Sequence, residues 1–394
     1  MSIASLSKAK SKIFKIEAEI AGEESAPEIP ISIDGRTVNA SAPIDVNLLK
    51  SMTKIESGST AMVYKPKCAS IGNREVASVI KKYNIRSSIF TNEVKIYEKI
   101  SQRKKDFLET AEMHYKRQMA ETLPVCYGQL NFTDGTTGLL LEEVAGETLE
   151  NHNDRLTDPN SDAENKSLKF LRVAQIAFAA AALHEINIEH GDFHDGNLII
   201  SEDAARPGGI VRAIDVGESK DLAITPVIAN SCGKTGLCDT HRFAMSAVVP
   251  TLLPNVSYSK TQSAEGSDEL QQTQLLGSAM NLKNTITMLR DSFTEANFNK
   301  NPLHVANNAL PEQSKYSDGE LEVVKTILGA SLQIDHAKLP PMLWTSKVFE
   351  LLAAGVSREG IFEILEEEFP ANRGNTVVAS PAGDSGSAKE KEEI

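Results

Sequence analysis

The segment Leu183–Ile200, LHEINIEHGDFHDGNLII, leaves this chain fewer options than any other part of it. An apolar run with helical spacing, which carries Leu168, Leu171, Ala174, Phe178 and Ala181 on one stripe, leads into His190-Gly191-Asp192. Asn197 stands five residues after Asp192, and the apolar run Leu198–Ile200 follows. A Gly/Pro turn, Arg206-Pro207-Gly208-Gly209, then precedes a second apolar strand, Ile210–Ile214, that ends in Asp215-Val216-Gly217. Phosphoryl transfer needs such a set. One carboxylate accepts or orients the proton of the nucleophile, a second holds Mg²⁺ on the phosphates, and a neutral oxygen ligand completes the metal shell. Asp192, Asp215 and Asn197 match these three requirements in turn, and Gly217 lets the chain turn sharply beside the metal.

His190–Asn197 resembles the catalytic loop H-x-D-x-x-x-x-N of the protein-kinase-like superfamily, and Ile214–Gly217 resembles its D-F-G metal site. The resemblance implies an α+β, bilobal fold with a β-rich N-lobe and a helical C-lobe, and ATP and Mg²⁺ as cofactors. It also implies signatures upstream. Ile55–Lys65 resembles the glycine-rich loop over the phosphates, with only the middle glycine, Gly58, in place; Glu56 and Ala61 occupy the outer positions. Gly58, Ser59 and Thr60 would approach phosphate through backbone N–H groups, and Val63 takes the place of the valine that covers adenine. Val76–Lys81 resembles the strand whose lysine contacts the α- and β-phosphates: Lys81, with Lys82 one register away. Asn92–Ile96 resembles the helix whose glutamate pairs with that lysine, which makes Glu93 the partner and Glu98 the fallback. Leu141–Val144 resembles the hinge, with Glu142 and Val144 cradling adenine through the backbone. Asp239 resembles the aspartate that anchors the catalytic loop from below. The elements come in the superfamily's order, over roughly residues 50–260 and more weakly to about 369.

Departures from that pattern bear on the acceptor. His194 lies two residues after Asp192, where protein kinases often carry lysine, and Gly191 replaces arginine; both pull toward aminoglycoside- and choline-type kinases. Loss of that arginine also removes the residue that reads activation-loop phosphorylation in many protein kinases. Asp239 comes only 24 positions after Asp215, with no A-P-E between them, as in trimmed bacterial effector kinases. The glycine loop and the Val63-Tyr64-Lys65 strand favour a Ser/Thr protein kinase with a protein substrate; a small-molecule kinase is the alternative. A pseudokinase scaffold would account for the damaged glycine loop, but a scaffold need not keep Lys81, Asp192, Asn197 and Asp215. A two-His–one-carboxylate iron site begun by His190 and Asp192 leaves those residues unexplained. Cys232, Cys238 and His241 make at best half of a zinc site with poor spacing.

Composition narrows the partners. A net charge of −13 disfavours nucleic acid and gives no reason for docking on anionic membranes. Four cysteines make no disulfide framework and fit a reducing compartment. The basic N-terminus has no apolar core of signal-peptide length, and the longest apolar stretch, Val173–Leu183, is too short for an integral membrane span. These features point to a cytoplasmic protein; secretion into a host cell without a cleaved Sec signal stays open. The organisation expected is an N-terminal extension or linker (1–50), a kinase-like N-lobe (51–145), a helical C-lobe (146–370) and a disordered tail (371–394). Helices are expected over 239–253, 268–293, 318–333 and 343–368, with Ser357 as an N-cap within the last.

Overall fold

In the computed structural model, residues 31–38, 43–58, 60–84, 88–110, 114–157, 166–223, 238–252, 316–331 and 339–368 are described. The expectations for residues 1–30, 268–293 and 371–394 lie outside them, as do Ser59 and Cys232. The chain mixes α and β structure, with sheets in its N-terminal half and helices mostly later. It opens on a hairpin of β1 (Ile31–Ile33) and β2 (Arg36–Val38), which pair across Asp34 and Gly35 at φ 47° and 74°. There follow β3 (Thr53–Ser57), β4 (Ala61–Lys65), β5 (Ala69–Ile71), β6 (Arg74–Glu75) and β7 (Ser78–Tyr83). Helices α1 (Ser88–Glu109) and α2 (His114–Thr122) lead to β8 (Cys126–Asn131) and β9 (Thr137–Glu142). The strands form two antiparallel sheets, ordered β2-β1-β5-β6 and β3-β4-β7-β9-β8.

Of the extension or linker expected over residues 1–50, the described residues 31–38 and 43–50 are folded onto the sheets. Ile33, Ile44, Leu48 and Leu49 are buried in one core with Met52, Ile80, Leu130, Phe132 and Leu140. The signal passed over is Asp34-Gly35 between alternating residues, which suits a tight hairpin turn because both positions take φ > 0.

Alternation along β7 divides this half of the molecule. Val63, Lys81 and Leu139 stand in register across β4, β7 and β9, as do Tyr64, Ile80 and Leu140 one residue away. Residues paired in register share a face, and neighbours along a strand take opposite faces. Ala61, Tyr83, Leu139 and Leu141 therefore pack in the main core with Ile96, Tyr97 and Ile100 of α1, whereas Ile80 and Leu140 enter the smaller core.

The later part comprises β10 (Glu147–Thr148), α3 (Leu149–Thr157), α4 (Lys166–Glu185), β11 (Ile188–Glu189), β12 (Leu198–Asp203), β13 (Arg206–Ala213) and β14 (Lys220–Asp221). Then come α5 (Asp239–Phe243), a π-helical turn (Ala244–Val248), α6 (Val249–Leu252), α7 (Asp318–Ser331), α8 (Met342–Ala353) and α9 (Arg358–Glu368). Every residue of α4 from Val173 to Leu183 except Gln175 is buried, so it is a central helix rather than an amphipathic surface one. Ser346 of α8 donates its hydroxyl to the Ala174 carbonyl at 2.9 Å, and Phe349 stacks near Phe170. The helical run expected from 343 to 368 breaks at Gly355 (φ 74°), and Ser357 caps α9 by accepting from Gly360 N–H at 3.3 Å.

Candidate active site

The site begins with the face that β7 gives Lys81. Its Nζ lies 2.9 and 3.1 Å from the two carboxylate oxygens of Glu93 on α1, and 2.6 Å from Oδ1 of Asp215. Glu93 is fully buried and also accepts from the Tyr83 hydroxyl. Burial works against the Lys81 charge, but Glu93 and Asp215 outweigh it and hold its pKa above the usual value. Lys82 points the other way, pairing with Asp134 at 3.0 Å over the Phe132 ring. Strand parity thus sets Lys81, and not Lys82, against α1, where its ion pair is with Glu93.

Asp215 has φ 59° and ψ 66°, the left-handed region that few non-glycine residues adopt. Its side chain is 51% exposed, so its carboxylate is open to a ligand. A Cβ on Gly217 would lie 2.8 Å from Ile89 Cγ2 and 3.2 Å from Glu93 Oε2. Glycine here lets the segment after Asp215 pass close beneath α1.

Asp192 is positioned from below by a fully buried carboxylate. Asp239 Oδ2 accepts from His190 N–H at 2.7 Å and from His184 Nε2 at 3.1 Å, while Oδ1 accepts from Gly191 N–H at 3.0 Å. His190 donates from Nε2 to the Ile214 carbonyl at 2.8 Å, which leaves Nδ1 to accept from Asp192 N–H at 3.3 Å. Gly191 sits at φ 75°, and a Cβ there would meet the Glu218 carbonyl oxygen at 2.5 Å. A steric demand therefore accompanies the missing arginine noted in the sequence.

Both oxygens of Asp192 are engaged. Oδ1 takes Arg242 Nη1 at 3.0 Å; Oδ2 takes Asn197 Nδ2 at 3.2 Å and faces His194 Nε2 at 3.6 Å. His194, and then Arg242, hold the Asp192 pKa below the ordinary carboxylate range. In return Asp192 and Asp195 raise His194 to about 9, so it is charged at neutral pH. Asn197 also donates to the Asp192 carbonyl at 3.0 Å, and its own carbonyl accepts from Ile214 N–H at 2.9 Å. With Leu198 opposite Ala213, the β12–β13 hairpin brings Asn197 and Asp215 to the same end. Sequence reasoning missed Arg242. Its place three residues after Asp239, one turn along the anchoring helix, was the available signal.

The residues of the β3–β4 turn and of the segment after β9 are less uniform. Gly58 and Thr60 are exposed at the β3–β4 turn, but Gly58 N–H already donates to the Ala61 carbonyl at 2.9 Å. Val63 lies opposite Lys81. Glu142, expected to cradle adenine through the backbone, has one of its backbone groups engaged within the sheet. Its N–H donates to Val125 at 2.9 Å and its carboxylate pairs with Arg212 at 3.0 Å, so both tie the sheet together. Glu143 N–H is spent on Ala77 at 3.1 Å, which leaves Val144 as the next backbone group in line.

Among the described residues no three His, Cys, Asp or Glu side chains gather around a common metal position. The Asp215 carboxylate and the Asn197 amide oxygen, whose nitrogen is turned to Asp192, are hard oxygen donors of the kind Mg²⁺ takes when phosphates and water supply the rest. Cys238 and His241 contact one another at 3.2 Å at the start of α5, as a local cap. No family model and no curated protein matches this sequence. Among the described residues no helix is long and apolar enough to cross a membrane.

Proposed function

We propose that this chain is a bilobal, protein-kinase-like phosphotransferase that moves the γ-phosphoryl group of ATP, with Mg²⁺, onto a Ser or Thr hydroxyl of a protein. The observation that carries the reading is the convergence of Lys81 and Glu93 with Asp215, 134 positions beyond Lys81, beside a loop that presents Asp192 and Asn197. A turn, a zinc half-site or an iron site requires none of that convergence. Lys81, held charged by Glu93, would position the α- and β-phosphates. Asp215 and Asn197 would hold Mg²⁺, which when bound neutralises charge on the phosphates. Asp192 would orient the acceptor hydroxyl. Because His194 and Arg242 depress its pKa, it serves better as an aligning acceptor than as a strong base. Val63 and Val144 would flank the base, and Gly58 to Thr60 would cover the phosphates.

A small-molecule acceptor is the second reading, favoured by Gly191 at φ 75° and by His194 beside Asp192. Incubation with radiolabelled ATP and Mg²⁺, against a protein lysate and a metabolite extract in parallel, separates the readings. Labelled protein that disappears with Asp192→Ala supports the first, and label confined to small molecules supports the second. Nucleotide binding with no transfer to either would leave a scaffold.

A further inference from the structure

The segment after Asp215 is gripped from two sides. On one side is Asn92, the neighbour of Glu93 on α1. Its Nδ2 donates to the Gly217 carbonyl at 3.0 Å and to the Ser219 carbonyl at 2.8 Å. Two carbonyl oxygens facing one carboxamide can be met only by its NH₂ group, so the orientation of that side chain is chemically determined. Lys99, seven residues along and on the same helix face, forms an ion pair with Asp221 and donates to the Asn187 carbonyl at 3.2 Å. On the other side Ser219 donates its hydroxyl to the His190 carbonyl at 3.0 Å, and Glu189 opposes Lys220 in the β11–β14 ladder. The helix that carries Glu93 and the loop that carries Asp192 are therefore joined through residues 217–221.

We propose that Asn92, seconded by Lys99, is a positioning residue that clamps residues 217–221 to α1 and so keeps Asp215 facing Lys81 with no phosphorylation of the chain. The proposal deepens the phosphotransferase reading and rests on it. A left-handed aspartate persists only where its surroundings over-determine it. The hydrogen bonds on the two carbonyls beyond Asp215 supply that constraint. Gly191, packed on the Glu218 carbonyl, offers no cation to receive a phosphate in place of the clamp.

The test compares phosphatase-treated wild type with Asn92→Ala and Lys99→Met. Alanine is the best helix former, so Asn92→Ala keeps α1. Two readouts are taken: amide hydrogen exchange over residues 216–221, with α4 as internal reference, and calorimetric binding of Mg²⁺ with a non-hydrolysable ATP analogue. The clamp predicts exchange over 216–221 faster by about tenfold or more in Asn92→Ala, the scale of losing two hydrogen bonds, with α4 unchanged. Lys99→Met follows in the same direction. Nucleotide affinity at fixed Mg²⁺ falls by about tenfold in Asn92→Ala and is untouched by phosphatase. Exchange and affinity equal to wild type in both variants would overturn the proposal. So would phosphatase treatment that loosens 216–221 in wild type as much as the substitution does. If wild type binds no nucleotide, the phosphotransferase reading fails, and the exchange readout alone still decides the clamp.

Discussion

At the scale of single residues, the site is a balance of charges held at short range. Lys81 is nearly buried between two carboxylates and therefore stays protonated. Replacing it with Met leaves Glu93 uncompensated and removes the proposed phosphate contact. Turnover in the radiolabelled ATP assay is expected to fall by about 10²–10³, the scale of one electrostatic donor in an active site. Lys82→Met, on the opposite face, leaves turnover near wild type; the reverse outcome would move the lysine by one register. His194 carries a second prediction. Its protonated form is favoured by Asp192 and Asp195, with a pKa of about 9 against an unfolded value near 6.5. Its contribution to stability is thus fully present below about pH 6.5 and is lost as pH rises toward 9. An NMR titration of the His194 ring should show a midpoint near 9, and Asp192→Asn should bring it down. A midpoint near 6.5 in wild type would mean that the pair with Asp192 does not form in solution.

At the scale of elements, two pieces do more than their sequence suggests. The first turn of α5 holds the His190–Asn197 loop through Asp239. Asp239→Ala strips an acceptor from His190 N–H, Gly191 N–H and His184 together. Loss of about 3–5 kcal/mol in urea unfolding is the expected cost of leaving such buried partners uncompensated. The β1–β2 hairpin is the other. Ile33 is fully buried, so Ile33→Ala should destabilise the protein by about 2–5 kcal/mol. A true linker would tolerate the change. The hairpin was legible in Asp34-Gly35. What was not legible is that its apolar face closes a second core with the five-stranded sheet, because that depends on residues more than 90 positions further along the chain, Leu130 of β8 and Phe132 just after it.

At the scale of the whole molecule, the proposed ligand should appear as stability. Mg²⁺ and an ATP analogue at a hundred times the dissociation constant should add about 2.7 kcal/mol and raise the melting midpoint by several degrees. Asp215→Asn should remove most of the Mg²⁺-dependent part; an unchanged midpoint in wild type would count against nucleotide binding. Much of this molecule was open to reading from its sequence: the order of the polar motifs, the helix before His190, the β12–β13 hairpin and the N-cap at Ser357. Each of these depends on local spacing and on turn or capping chemistry, which a linear chain carries in itself. Tertiary structure decided the rest. Strand parity put Lys81 rather than Lys82 against Glu93, because a pleat sends neighbours to opposite faces. Packing brought Arg242 to Asp192 and Asn92 to the carbonyls beyond Asp215, and it tied the Glu142 N–H to the Val125 carbonyl. These contacts join residues 50, 125 and 17 positions apart, and only the packed sheets and helices bring such separations together.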